Sequence, residues 1–149
     1  MAVNLIRSAR LYAGVPYAYA AKVSAGDLIF TAGACPLDEQ ENIVAKGDAA
    51  AQMRQALANL RIALEDAGAT IRDVVKTTVY VASSDRGELV AAWDEVAAFF
   101  GDHDVPSTLL GVALLGYRDQ LVEIEAIAVQ PRPAREAAAS HERTSPAGE

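Results

Sequence analysis

The sequence predicts an α+β fold of order ββαβαββ, with two helices covering one face of one mixed sheet. Three observations carry that reading. Residues 48–67 hold Met53, Ala56, Leu57, Leu60 and Leu64 at helical spacing. Residues 74–82 form the β-branched run Val-Val-Lys-Thr-Thr-Val-Tyr-Val-Ala, with the composition of a strand. The apolar run Leu121-Val-Glu-Ile-Glu-Ala-Ile-Ala-Val129 is broken by two acids two residues apart.

The elements follow in order. Tyr19 to Val23 and Leu28 to Thr31 read as short strands about a turn at Ser24-Ala-Gly-Asp27, with Gly33 and Pro36 ending the hairpin. Asp48 is the expected N-cap of the first helix and Gly68 its stop. Ser83, Ser84 and Asp85 are candidate caps of a second helix carrying Leu89, Val90, Trp93, Val96, Ala97 and Phe100, closed by Gly101. Pro106 precedes a strand expected over 108–115, and a turn at Gly116-Tyr-Arg-Asp119 leads into the acidic strand. In the middle strand, Val75, Thr77, Val79 and Val81 form one row and Val74, Lys76, Thr78 and Tyr80 the other. Neither row is polar enough for a solvated face. The helix-free face is therefore expected to pack against other copies of the chain.

Composition narrows the function. A chain of 149 residues is one domain, expected over 1–130. Residues 131–149 lose apolar periodicity and read as a mobile tail. The formal net charge of -7, with basic residues scattered, argues against nucleic acid or anionic membrane as a partner. The single cysteine, Cys35, rules out an intramolecular disulfide and fits a reducing cytoplasm. Two histidines far apart supply no zinc set, so no metal is expected. The N-terminus has no signal-peptide core, and no apolar run is long enough to span a bilayer.

Glu123 and Glu125 share one strand face. A carboxylate taken from water needs a partner or a proton. A basic side chain, backbone donors, a neighbouring subunit or a ligand could each answer that need.

Four blocks, Gly26-Asp-Leu-Ile-Phe-Thr-Ala-Gly33, Gln52-Met-Arg-Gln-Ala-Leu-Ala-Asn-Leu60, Asp73-Val-Val-Lys-Thr-Thr-Val-Tyr-Val81 and Val122-Glu-Ile-Glu-Ala-Ile-Ala-Val129, stand in an order that resembles the RidA/YjgF family, also labelled endoribonuclease L-PSP. The resemblance covers residues 16 to 130 or so. It implies a chorismate-mutase-like fold, a homotrimer with small-molecule clefts between subunits, and cofactor-independent hydrolysis of imines and enamines to a 2-keto acid and ammonia. By the same resemblance Tyr17, in Pro16-Tyr17, lines the cleft. The backbone of Ala32, Gly33 and Ala34 touches the ligand, and Glu123 positions the attacking water. Trp93 stands where the family has an asparagine, and Thr108 where it has the arginine that grips the substrate carboxylate.

That last departure bears on chemistry. Arginine offers a bidentate, charged fork; threonine offers one neutral hydroxyl. Turnover of 2-imino acids is accordingly expected to be weak. The alternatives are hydrolysis of a neutral or aromatic small molecule, or ligand binding without catalysis in a chaperone-like trimer. Endoribonuclease action is disfavoured by the charge. Arg118, in the turn before the acidic strand, is a candidate replacement cation, and Arg10 a weaker one; each also reads as a solvated arginine. Trp93 doubles as a core anchor, and Tyr17 as an anchor of the N-terminal segment. Glu125 reads as structural, paired with Lys76 or an interface arginine. Gly33 is expected to serve its backbone conformation, and Cys35 to be a small core residue.

Overall fold

The computed structural model describes residues 3–130 and Arg132. The expected tail lies, apart from Arg132, outside the described residues. Strands β1 (Val3–Ile6), β2 (Ala20–Val23) and β3 (Asp27–Phe30) lead into helix α1 (Ala49–Asp66). Strand β4 (Val74–Val81), helix α2 (Arg86–Phe100), β5 (Ser107–Gly111) and β6 (Val122–Gln130) follow. The main sheet has the order β3-β6-β4-β5, with β4 and β5 parallel and the other pairs antiparallel. Parallel neighbours need a crossover, and α2 supplies it.

The expected α+β architecture is present, with a different pairing at its start. Residues 20–23 do not form a hairpin with β3; they pair with β1, a strand not anticipated, in a separate two-stranded sheet. Strand β3 instead pairs with β6. Each of these two ladders has four residue pairs, so adjacency in sequence did not decide the pairing. Strand β5 ends at Gly111 rather than 115 because β4, its one neighbour among the described residues, ends at the facing Val81.

Helix α1 buries Ala49, Gln52, Met53, Ala56, Leu57, Leu60 and Leu64, one face of a 3.6-residue period. The Asp48 side chain accepts from Ala51 N as its N-cap, and Gly68 follows the helix at φ 80°, where a side chain is strained. Asp85 caps α2 by accepting from Gly87 N. Val90, expected on the buried face of α2, is exposed, and burial falls to Ala92, Val96 and Phe100.

Both helices lie on the side of the sheet that carries Thr77, Val79, Val81, Val122, Ile124, Ala126 and Ala128. An irregularity between Val74 and Lys76 leaves Val75 as the extra residue, so Val74, and not Val75, joins the buried row. The opposite face carries Lys76, Thr78 and Tyr80 from β4, Glu123, Glu125 and Ile127 from β6, and Thr108 and Leu110 from β5. Leu28, Phe30 and Leu110 are exposed there at 57%, 69% and 43%, a solvent-facing apolar area of the kind expected of an interface. Among the described residues no helix is long and apolar enough to cross a membrane.

Gln52 ties helix to strand. Fully buried, it donates to Asp119 O at 2.9 Å and accepts from Leu121 N at 2.7 Å, fixing the entry to β6. Gln52→Leu removes both bonds from a buried site and should lower stability by about 1–3 kcal/mol in urea unfolding. The exposed Arg54→Ala variant, which loses only the surface pair with Glu95, should change it by less than about 1 kcal/mol.

Candidate functional site

Two groups of the expected site residues come together in the chain. The first surrounds Glu123. Alternation along β6 turns its carboxylate to the helix-free face, half-buried. Ala34 and Ile124 form a bridge, with Ala34 N donating to Ile124 O at 2.7 Å, and this brings the 32–35 segment beside the acid. The Gln120 amide donates to Glu123 Oε2 at 3.1 Å, to Val122 O at 3.0 Å and towards Cys35 Sγ at 3.2 Å. Gln120 is itself buried and is positioned by Tyr117 N, which donates to its Oε1 at 3.0 Å.

Gly33 serves a purpose other than the one expected. It does not have a positive φ; its role is clearance. A Cβ at position 33 would overlap Glu123 Oε1 well inside van der Waals contact. Cys35 is half-buried and joins this group rather than the core. Burial, and then the charge of Glu123, push its thiol above the usual range. Gln120 and Cys35 were not singled out as site residues in the sequence. A glutamine three residues before an acid carries no motif, and only the fold puts it under that acid.

The second group lines a cleft of about 390 Å³ formed by Pro16, Tyr17, Trp93, Ser107, Thr108 and Leu109. The Tyr17 and Trp93 rings meet edge to face, with centroids 6.3 Å apart. Trp93 is thus both a partner of the core and a cleft wall. Thr108 projects from the edge strand β5, and its Oγ1 accepts from Lys76 Nζ at 2.7 Å. Ala32 is exposed beside the first group. Arg118 is exposed in its turn, and among the described residues it makes neither a hydrogen bond nor an ion pair with Glu123 or Thr108. Arg10 is likewise exposed.

Glu125 does not pair with Lys76. It accepts from Tyr80 Oη at 2.8 Å, and this bond pushes the phenol above its ordinary value. The two acids therefore differ: Glu125 accepts from an intrachain phenol, whereas the half-buried Glu123 accepts from the Gln120 amide beside Gly33. Among the described residues no cluster of three His, Cys, Asp or Glu could hold a metal ion.

Two outcomes are expected. Gly33→Ala should displace the Glu123 side chain and lower stability by about 1–3 kcal/mol, read by thermal unfolding. Because the Glu123 charge opposes thiolate formation, Glu123→Gln should move the pH profile of Cys35 alkylation to lower pH.

A family model described as Endoribonuclease L-PSP matches residues 8–130. The chain is 38% identical over 115 residues to a 2-iminobutanoate/2-iminopropanoate deaminase of Salmonella typhimurium, covering 75% of this chain and 87% of that protein. It is 38% identical over 110 residues to a RutC family protein of Pyrococcus horikoshii, covering 74% and 85%. Among solved structures, a protein of unknown function of the conserved Rid family from Yersinia pestis superposes with a TM-score of 0.81 at 32% identity, over 87% of this chain and 99% of that one. The YjgF gene product of Escherichia coli gives 0.62 at 34% identity, over 86% and 99%. With the four sequence blocks, the sheet order and these matches in agreement, the chain belongs to the endoribonuclease L-PSP family, the RidA/YjgF proteins.

Proposed function

We propose that the chain assembles as a homotrimer with small-molecule clefts between subunits, and that it hydrolyses an imine or enamine there without a cofactor. The observation that carries this reading is the placement of Glu123: a half-buried carboxylate, held by the Gln120 amide over a glycine, facing the helix-free side of the sheet. The 38% identity to imine deaminases supports the same chemistry.

In the proposed reaction Glu123 orients a water molecule and takes one of its protons as the oxygen bonds to the imine carbon. Glu123 passes that proton to the imine nitrogen to give the carbinolamine, then takes the hydroxyl proton and delivers it to the same nitrogen as the C=O bond forms, the C–N bond breaks and ammonia leaves. One imine and one water become one carbonyl compound and one ammonia. The exposed Leu28, Phe30 and Leu110 support assembly through this face, and the Tyr17–Trp93 wall favours a ligand with apolar or aromatic bulk. RNA is not the proposed substrate, since a net charge of -7 repels a polyanion.

Thr108 sets the limit on substrate. With a neutral hydroxyl in place of the family arginine, small 2-imino acids bind without a bidentate clamp and turn over slowly. Ammonia release from 2-iminopropanoate should rise on the order of tenfold to a hundredfold in kcat/KM on Thr108→Arg. Glu123→Gln should lower ammonia release from any accepted imine by about 10²-fold or more. Unchanged turnover in Glu123→Gln would remove the acid from the mechanism. Light scattering should give three times the chain mass, and a monomer would exclude the shared cleft.

A further inference from the structure

Lys76 takes no part in the reading above, yet its ammonium stands where a substrate-binding cation is wanted. It projects from β4 onto the same face as Glu123 and Glu125. Its Nζ lies 2.7 Å from Thr108 Oγ1, across the parallel β4–β5 pair. The Tyr17–Trp93 cleft includes Thr108, and Lys76 lines a second hollow of about 160 Å³ with Phe30, Thr78 and Glu125. The Lys76–Thr108 bond therefore joins the two spaces.

Among the described residues no ion pair cancels the charge of Lys76. Glu125, the acid on the neighbouring strand, gives its Oε1 to Tyr80. An ammonium has three donors, of which one is used by Thr108. Thr108 accepts that bond, so its own proton is free to be donated. The ammonium and the hydroxyl thus stand together beside an aromatic-walled cleft, with two N–H donors and one O–H donor left between them. That is a donor set matched to the two oxygens of a carboxylate, supplied as a point charge rather than as a planar fork.

We propose that Lys76, with Thr108 as its relay, is the carboxylate-binding group of this cleft, and that the ligand is a monocarboxylate bearing an apolar or aromatic body. This rests on the cleft reading above and names its ligand class. It also gives Thr108 a role: its hydroxyl both holds the ammonium and adds a donor. Neither Arg118 nor Arg10 is needed for this recognition.

The test is a fluorescence titration of the full-length protein, with Trp93, the only tryptophan of the sequence, as reporter. Benzoate and its neutral isostere benzamide are the probes. Benzoate should bind more tightly than benzamide. Lys76→Met should weaken benzoate on the order of tenfold to a hundredfold and leave benzamide unchanged. Lys76→Arg should retain the preference for benzoate, which also guards against loss of fold. Benzoate binding that is undiminished in Lys76→Met, with Glu123-dependent turnover intact, overturns the role of Lys76 alone. Failure of both probes to bind the wild-type protein overturns the cleft reading and this proposal with it.

Discussion

Strand β6 has to satisfy two environments at once, and the rest of the molecule is arranged around that constraint. Its pleat sends Val122, Ile124, Ala126 and Ala128 beneath the helices and Glu123, Glu125 and Ile127 to the other side. It pairs with β3 on one edge and β4 on the other, so a slip of one residue would put two carboxylates into the core and four apolar side chains into water. Burying Val122 and Ile124 is worth about 1.5–3 kcal/mol each and the two alanines about 0.8 kcal/mol each, which opposes that slip. Gln52 fixes the point at which the strand begins, and the pleat then determines which way each acid faces.

The polar groups on the open face are separated by their hydrogen-bond partners as well as by position. Tyr80 closes Glu125, Thr108 holds Lys76, and Gln120 holds Glu123. Each charged group has one neutral hydrogen-bonding neighbour. A cation and an acid thus stand on one face of the sheet without neutralising each other. A direct Lys–Glu pair would have stabilised the fold and consumed both charges. In the function proposed above, holding them apart with neutral donors and acceptors leaves one for a ligand anion and the other for water.

Most of the architecture was legible in the sequence because period and capping are local. Asp48, Asp85 and Gly68 end their helices as the residue types imply, and the apolar positions of α1 are the buried ones. Pairing was less legible. The partner of residues 20–23 is a strand of four residues near the N-terminus, and so short a run, Val-Asn-Leu-Ile, carries little pattern. The bulge at Val75 reverses the inward row at one end of β4, which alternation alone does not reveal. At the candidate site, Glu123, Gly33, Tyr17, Trp93 and Thr108 were marked by the family resemblance. Gln120 and the Lys76–Thr108 contact were not, since each depends on residues that only the folded sheet brings together.

The clearance at Gly33 has a consequence for how this surface can vary. The volume that a Cβ would occupy at position 33 is already filled by the carboxylate of residue 123. A side chain at 33 would therefore push the Glu123 carboxylate out of its present place, so the two positions are coupled. The bare backbone at 33 thus sets where the acid of this surface rests, and a redesign has to vary both positions together.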